Sequence, residues 1–73
     1  MKKTFKLIDL DCAHCAAKME DAVNKIDGVT SATVNFLAQK MVIEGDDARF
    51  DEIVKEAVKA CHKVEPDCEV VVK

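Results

Sequence analysis

The chain has 73 residues and a formal net charge of −3, with 49% hydrophobic and 34% charged residues. This length predicts one domain, residues 1–73, with enough apolar residues for one compact core. The acidic balance and the lack of Trp and Tyr argue against a nucleic-acid partner, because phosphates need a basic face and bases need aromatic platforms. No apolar run approaches the roughly 20 residues that span a membrane, and Lys6, Asp9 and Asp11 interrupt any leader-like segment. We therefore expect a cytoplasmic domain without membrane insertion.

The first half of the chain predicts a strand, a helix and two further strands. Apolar residues alternate over Thr4 to Asp9 and then recur at three- and four-residue spacings from about Ala13 to Asp27. Gly28 is expected to end this helix as a left-handed C-cap. Alternation returns over residues 29–36 and 40–44, and the short turn between them predicts an antiparallel pair.

The second half predicts a helix followed by a short strand. An Asp at position 46 or 47 can cap a helix whose apolar stripe runs from Phe50 to Cys61, and Pro66 prevents its continuation. Residues 68–72 then alternate as a last strand. The order β-α-β-β-α-β, with right-handed crossovers, predicts an α+β ferredoxin-like sandwich. Its four-stranded antiparallel sheet would carry both helices on one face.

Two thiols lie two residues apart, at Cys12 and Cys15, between the first strand and the first helix. They are interpreted as a metal clamp, a redox dithiol or two core residues. Thiolates favour soft ions such as Cu(I), Zn(II), Cd(II), Pb(II) and Hg(II), and a helix N-terminus lowers thiol pKa values and stabilises a metal–thiolate site. The strand-to-helix loop favours the clamp over packing, and the lack of a neighbouring Trp or Pro weakens the redox interpretation.

The segment Leu-Asp-Cys-Ala-His-Cys at 10–15, followed by Ala-Ala-Lys-Met-Glu at 16–20, resembles the heavy-metal-associated domain. Asp-Gly-Val at 27–29, Ala-Thr-Val-Asn-Phe at 32–36 and Ala-Cys-His-Lys-Val at 60–64 extend the resemblance over essentially the whole chain. The family includes cytosolic modules of P-type transition-metal ATPases, small copper metallochaperones and periplasmic mercuric-ion binding proteins. The resemblance implies a metal-binding domain that catalyses nothing itself.

The residues before the first cysteine favour a divalent ion. Copper members of the family typically carry Met and then Thr or His there, whereas this chain has Leu10 and Asp11. An Asp in that position resembles the zinc/cadmium/lead-transporting P-type ATPases, in which the carboxylate can be a third ligand. Zn(II) takes about four ligands and accepts carboxylate oxygen, whereas Cu(I) is satisfied by two soft sulfurs. The alternative is that Asp11 is a solvated loop residue or a helix N-cap.

Two other residues depart from the family pattern, Cys61 and His62 at the end of the second helix. The resembling fold places the turn after this helix beside the metal loop, so one of the two is a candidate for a further ligand. Alternatively, Cys61 completes the core stripe and His62 interacts with the helix C-terminus. His14 is expected to face outward and to contact a partner. Cys68 is expected to be a small buried hydrophobe, because a cytosolic setting disfavours a bridge to Cys61.

These observations and the resemblance together predict the N-terminal cytosolic metal-binding domain of a zinc/cadmium/lead-type P-type ATPase. We expect this domain to be monomeric, to bind one soft divalent ion, Zn(II), Cd(II) or Pb(II), and to transfer or sense that ion. The expected ligands are Cys12, Cys15 and Asp11, with His62 or Cys61 as further candidates. The expected partners are the ion, the other domains of a metal-exporting P-type ATPase in the cell membrane and the membrane metal entry site of that pump. The alternatives are a free-standing copper or zinc metallochaperone and a thiol–disulfide redox protein.

Overall fold

The protein folds as the predicted ferredoxin-like sandwich, seen in a computed structural model that describes residues 1–72. The elements are β1 (Lys2–Ile8), α1 (Ala13–Asn24), β2 (Val29–Asn35), β3 (Lys40–Gly45), a 3₁₀ turn (Asp47–Arg49), α2 (Phe50–Val64) and β4 (Glu69–Val71). The four strands form one antiparallel sheet in the order β2-β3-β1-β4. Within residues 1–72, no helix has the length and apolar character needed to cross a membrane.

One apolar core lies between the sheet and the two helices. Each strand buries alternate residues, and each helix buries a stripe at three- and four-residue spacing, as expected for amphipathic elements. The fully buried side chains include Phe5, Leu7, Met19, Met41, Ile43 and Ile53.

The predicted end of the first helix is wrong by three residues, because α1 stops at Asn24 rather than Asp27. The amide groups of Lys25 and Ile26 donate to carbonyls three residues back, which tightens and closes the last turn. Gly28 has the expected positive φ, +97°, but it lies in the turn before β2 and does not cap the helix.

Three connections meet at one end of the sheet. They are the loop from β1 to α1, the turn from β2 to β3 and the turn from α2 to β4. The amide of Gln39 in the second connection hydrogen-bonds Leu10 in the first. Glu65 in the third connection interacts with Cys15, at the start of α1. This end therefore brings the cysteine pair together with residues from distant parts of the sequence.

Candidate metal centre

The cysteine loop begins with a sharp change of direction after β1. Asp9 has a positive φ of 63°, a left-handed conformation that Asp tolerates better than most residues. Leu10 then turns into the core and is only 2% exposed. The buried Leu10 side chain therefore fixes the start of the loop that leads to Cys12.

Cys12 caps the N-terminus of α1. Its backbone is extended, with φ −122° and ψ 114°, and its Sγ accepts a hydrogen bond from the backbone N–H of Cys15 at 3.2 Å. The carbonyl of Cys12 accepts from the N–H of Ala16 at 3.0 Å, which begins the helix. The interpretation of Asp11 as the helix cap is therefore wrong, because the cap sulfur belongs to the next residue. Both thiols are half-buried and unbridged.

The two thiols differ in acidity although they are neighbours. Hydrogen bonds from the Cys15 side chain and backbone, and from the backbone of His14, lower the pKa of Cys12. The pKa of Cys15 is raised to about 11 by its hydrogen bond to Cys12, by burial, by the charge of Cys12 and by the Glu65 carboxylate. Cys12 is thus the more acidic of the two thiols and forms a thiolate first. Cys15 keeps its proton until a metal ion displaces it.

Glu65 is a residue near the thiol pair that the sequence analysis missed. It is the C-cap of α2, where its N–H donates to the carbonyl of Cys61 at 2.9 Å. Its carboxylate accepts from the N–H of Asp67 at 3.3 Å and interacts with the thiol of Cys15. The signal was present in Pro66, because the residue before it must leave the helix and does so toward the metal loop.

The other predicted ligands occupy different positions. Asp11 is exposed beside Cys12, and His62 is exposed on α2. Cys61 is 0% exposed, with its Sγ 3.9 Å from the Sδ of Met41. Across residues 1–72, no three His, Cys, Asp or Glu side chains form a group that could hold an ion as they stand. Among the described residues, the structure thus pairs the two thiols and does not bring a third predicted ligand into position beside them.

Three carboxylates act on the Cys68 thiol at this end of the molecule. Burial raises the pKa of the Cys68 thiol, and the negative charges of Glu65, Asp9 and Asp11 raise it further. Three carboxylates from two connections therefore act on the same region. Such a concentration of negative charge attracts cations to the half-exposed thiols.

Known proteins share both this fold and this sequence. A family model described as the heavy-metal-associated domain matches residues 4–65. The copper chaperone CopZ of Enterococcus hirae is 33% identical over 64 residues, which cover 88% of this chain and 86% of the relative. A probable cadmium-transporting ATPase of Listeria monocytogenes is 44% identical over 45 residues, which are 62% of this chain and 6% of that protein.

A solved structure of a CopZ metallochaperone gives a TM-score of 0.78 at 30% identity and covers 97% of this chain and 100% of that chain. This chain therefore spans most of the chaperone's length and a small part of the ATPase's length. The sequence match, the βαββαβ fold and the thiol pair on the first loop agree with one another. The chain belongs to the heavy-metal-associated domain family.

Proposed function

We propose that this domain captures one soft divalent ion, Zn(II), Cd(II) or Pb(II), and releases it by ligand exchange. As in its family, the domain is a metal-binding module without a reaction of its own. The observation that carries the proposal is the pair of half-buried thiols at a helix N-terminus with carboxylates beside them. In this proposal Cys12 and Cys15 supply the sulfurs, and Asp11 or Glu65 supplies oxygen.

The mixed donor set favours a divalent ion over copper. Zn(II) combines thiolate and carboxylate ligands in sites of about four donors, whereas two soft sulfurs satisfy Cu(I). A carboxylate also offsets the second positive charge of the ion. Cys61 would have to leave the core to ligate, so the carboxylates are the stronger candidates for the third ligand. His62, which is exposed on α2, remains a candidate for a further ligand.

The exposure of the thiols supports transfer rather than permanent storage. A partner thiolate can approach a half-buried sulfur and displace it stepwise, whereas a structural site is closed by four protein ligands. We infer that the acceptor is a metal-translocating P-type ATPase in the cell membrane and that the domain works on its cytosolic side. The match to a probable cadmium-transporting ATPase supports this inference.

A copper carrier is the second candidate. It is favoured by the match to a copper chaperone over 88% of this chain and 86% of the relative. In that case the ion would take the two sulfurs alone, and neither Asp11 nor Glu65 would supply a ligand.

Competitive titration of Zn(II), Cd(II) and Cu(I) distinguishes the two candidates. We compare the native domain with Asp11→Asn, Glu65→Gln and, as a matched control, Asp51→Asn at the opposite end of α2. Removal of a ligand carboxylate should weaken Zn(II) and Cd(II) binding at least roughly tenfold relative to Cu(I) binding, whereas the control should alter neither. Unchanged Zn(II) and Cd(II) affinities in both carboxylate variants would contradict the mixed site. Tight, selective Cu(I) binding would then establish the copper carrier.

A further inference from the structure

We propose that Gln39 is a positioning residue for the metal loop: its side-chain amide holds the backbone of Leu10 and thereby fixes where Cys12 begins the helix. The inference rests on the proposed function, because it concerns the same thiol pair. Gln39 lies in the turn between β2 and β3, 29 residues along the chain from Leu10.

The amide of Gln39 makes three hydrogen bonds to backbone groups. Its Oε1 accepts from the N–H of Leu10 at 3.1 Å, and its Nε2 donates to the carbonyls of Leu10 and Phe36, both at 2.8 Å. The carbonyl of Gln39 also accepts from the N–H of Leu7 at 2.8 Å. One residue therefore joins the β2–β3 turn to the end of β1 and to the metal loop.

The Gln39 amide lies just beyond the point where the pairing of β1 with β3 ends. Pairing of β1 with β3 ends at Lys6 and Lys40, so Leu10 has no strand residue opposite it. The Gln39 amide offers a donor and an acceptor side by side, as a peptide group does. It therefore replaces the missing strand partner for both backbone groups of Leu10.

The conformation of Gln39 indicates that its side chain is needed. Its φ is +55°, a left-handed value that glycine adopts freely and that is sterically unfavourable for other residues. Gln lacks the short side chain that makes this conformation easier for Asn and Asp. The three hydrogen bonds of the amide offset this cost and give a reason for Gln at this position.

The hydrogen bonds fix the origin of the metal loop. Leu10 is buried and comes two residues before Cys12, so a shift of Leu10 moves the first thiol relative to the second. A loop already held in place loses less conformational entropy when an ion binds. Loss of the amide should therefore weaken zinc binding even though Gln39 touches no metal ligand.

The test compares Gln39→Gly with Asn35→Ala. Glycine accepts the positive φ and removes only the amide side chain. The control removes a hydrogen bond in the same turn, the one that Asn35 Oδ1 accepts from the N–H of Ala38 at 3.0 Å, and leaves Leu10 untouched. Zinc affinity and dissociation rate are measured by competition, and amide exchange of Leu10 is measured by NMR on the metal-free domain.

Gln39→Gly should weaken zinc binding roughly tenfold and speed Leu10 amide exchange by a similar factor, and Asn35→Ala should change neither. The proposal is overturned if Gln39→Gly binds zinc as the native domain does with Leu10 exchange unaltered. It is equally overturned if Asn35→Ala loses as much affinity, since general weakening of the turn would then suffice. Failure of the native domain to bind zinc would refute the proposed zinc site, and Leu10 exchange would still decide whether Gln39 holds the loop.

Discussion

Cys61 is the predicted ligand that the fold buries completely. Its thiol is fully buried, close to Met41, and its pKa is raised to about 12 by burial and by the charge of Cys68. At neutral pH it is therefore a neutral, small apolar group. This position matches the packing role that the sequence analysis weighed against metal ligation.

Replacement of Cys61 by Ala should separate packing from ligation. We expect the free energy of unfolding to fall by about 1–2 kcal/mol at neutral pH, because a buried sulfur is lost, while zinc affinity stays unchanged. A raised thiol pKa stabilises the folded state below the unfolded value of 9.0, and this stabilisation is lost as pH rises toward about 12. The stability difference between native protein and variant should thus narrow over this range. Urea unfolding at pH 7 and pH 10 measures it, and a zinc affinity that fell with Cys61→Ala would return this residue to the ligand set.

The residues of the site differ in how far sequence alone could identify them. The spacing of Cys12 and Cys15 is local, so the pair was found directly. Glu65 lies 50 residues from Cys15, and its closeness to that thiol follows from the length of α2 and the turn after it. Ligation by Asp11 stays a prediction, and Cys12 rather than Asp11 caps the helix because its sulfur accepts from the N–H of Cys15.

At the level of secondary-structure elements, α1 protects the exposed edge of the sheet. β2 is an edge strand, and the side chain of Asn24 bonds both backbone groups of Ala32 at 2.9 Å. Glu20 accepts from the N–H of Val34 at 3.1 Å. Unpaired strand edges invite pairing with another chain, and these two side chains occupy the groups that would do so.

Asn24→Ala should therefore destabilise the domain and open this edge. The loss of three hydrogen bonds to backbone groups, two at Ala32 and one at Glu20, should lower the free energy of unfolding by about 1–3 kcal/mol. It should also promote self-association at high concentration. Lys25→Ala is the matched control, since it removes only an exposed ion pair with Asp21 that is worth less than about 1 kcal/mol. Urea unfolding and sedimentation measure the two effects. Equal stability of the two variants, with both monomeric, would show that Asn24 does not guard the edge.

The boundaries of the two helices differ in how far the sequence could predict them. Periodicity located both helices, because it follows from the buried stripe that each presents to the core. Asp46 was correctly named as one of two candidate caps, and its Oδ1 accepts from the N–H of Ala48 at 3.1 Å. It caps a short 3₁₀ turn that precedes α2, however, and α1 ended early where Asn24 turns to β2. Of these hydrogen bonds, those between Asn24 and Ala32 join two different elements, and no pattern within the helix sequence contains them.

At the scale of the whole molecule, the two ends of the sheet differ in structure: one is closely packed, and the other carries the thiols and carboxylates. At the end far from the thiols, Gly45 packs so closely that an added Cβ would lie 2.8 Å from the carbonyl oxygen of Gly28 and 3.0 Å from Ile53 Cδ1. At the other end, three connections present half-buried thiols and carboxylates. The chain order and the alternating patterns sufficed to predict this architecture, whereas the contact between Gln39 and the metal loop needed the folded structure.

In the proposed site, one ion takes two sulfurs and at least one oxygen at this end of the domain. X-ray absorption at the zinc edge of the Zn(II)-loaded domain tests this ligand set most directly. We predict two sulfurs at about 2.3 Å and oxygen or nitrogen donors at about 2.0–2.2 Å, with the sulfurs lost in Cys12→Ser/Cys15→Ser. A zinc shell with no sulfur, or with sulfur alone, would contradict the account.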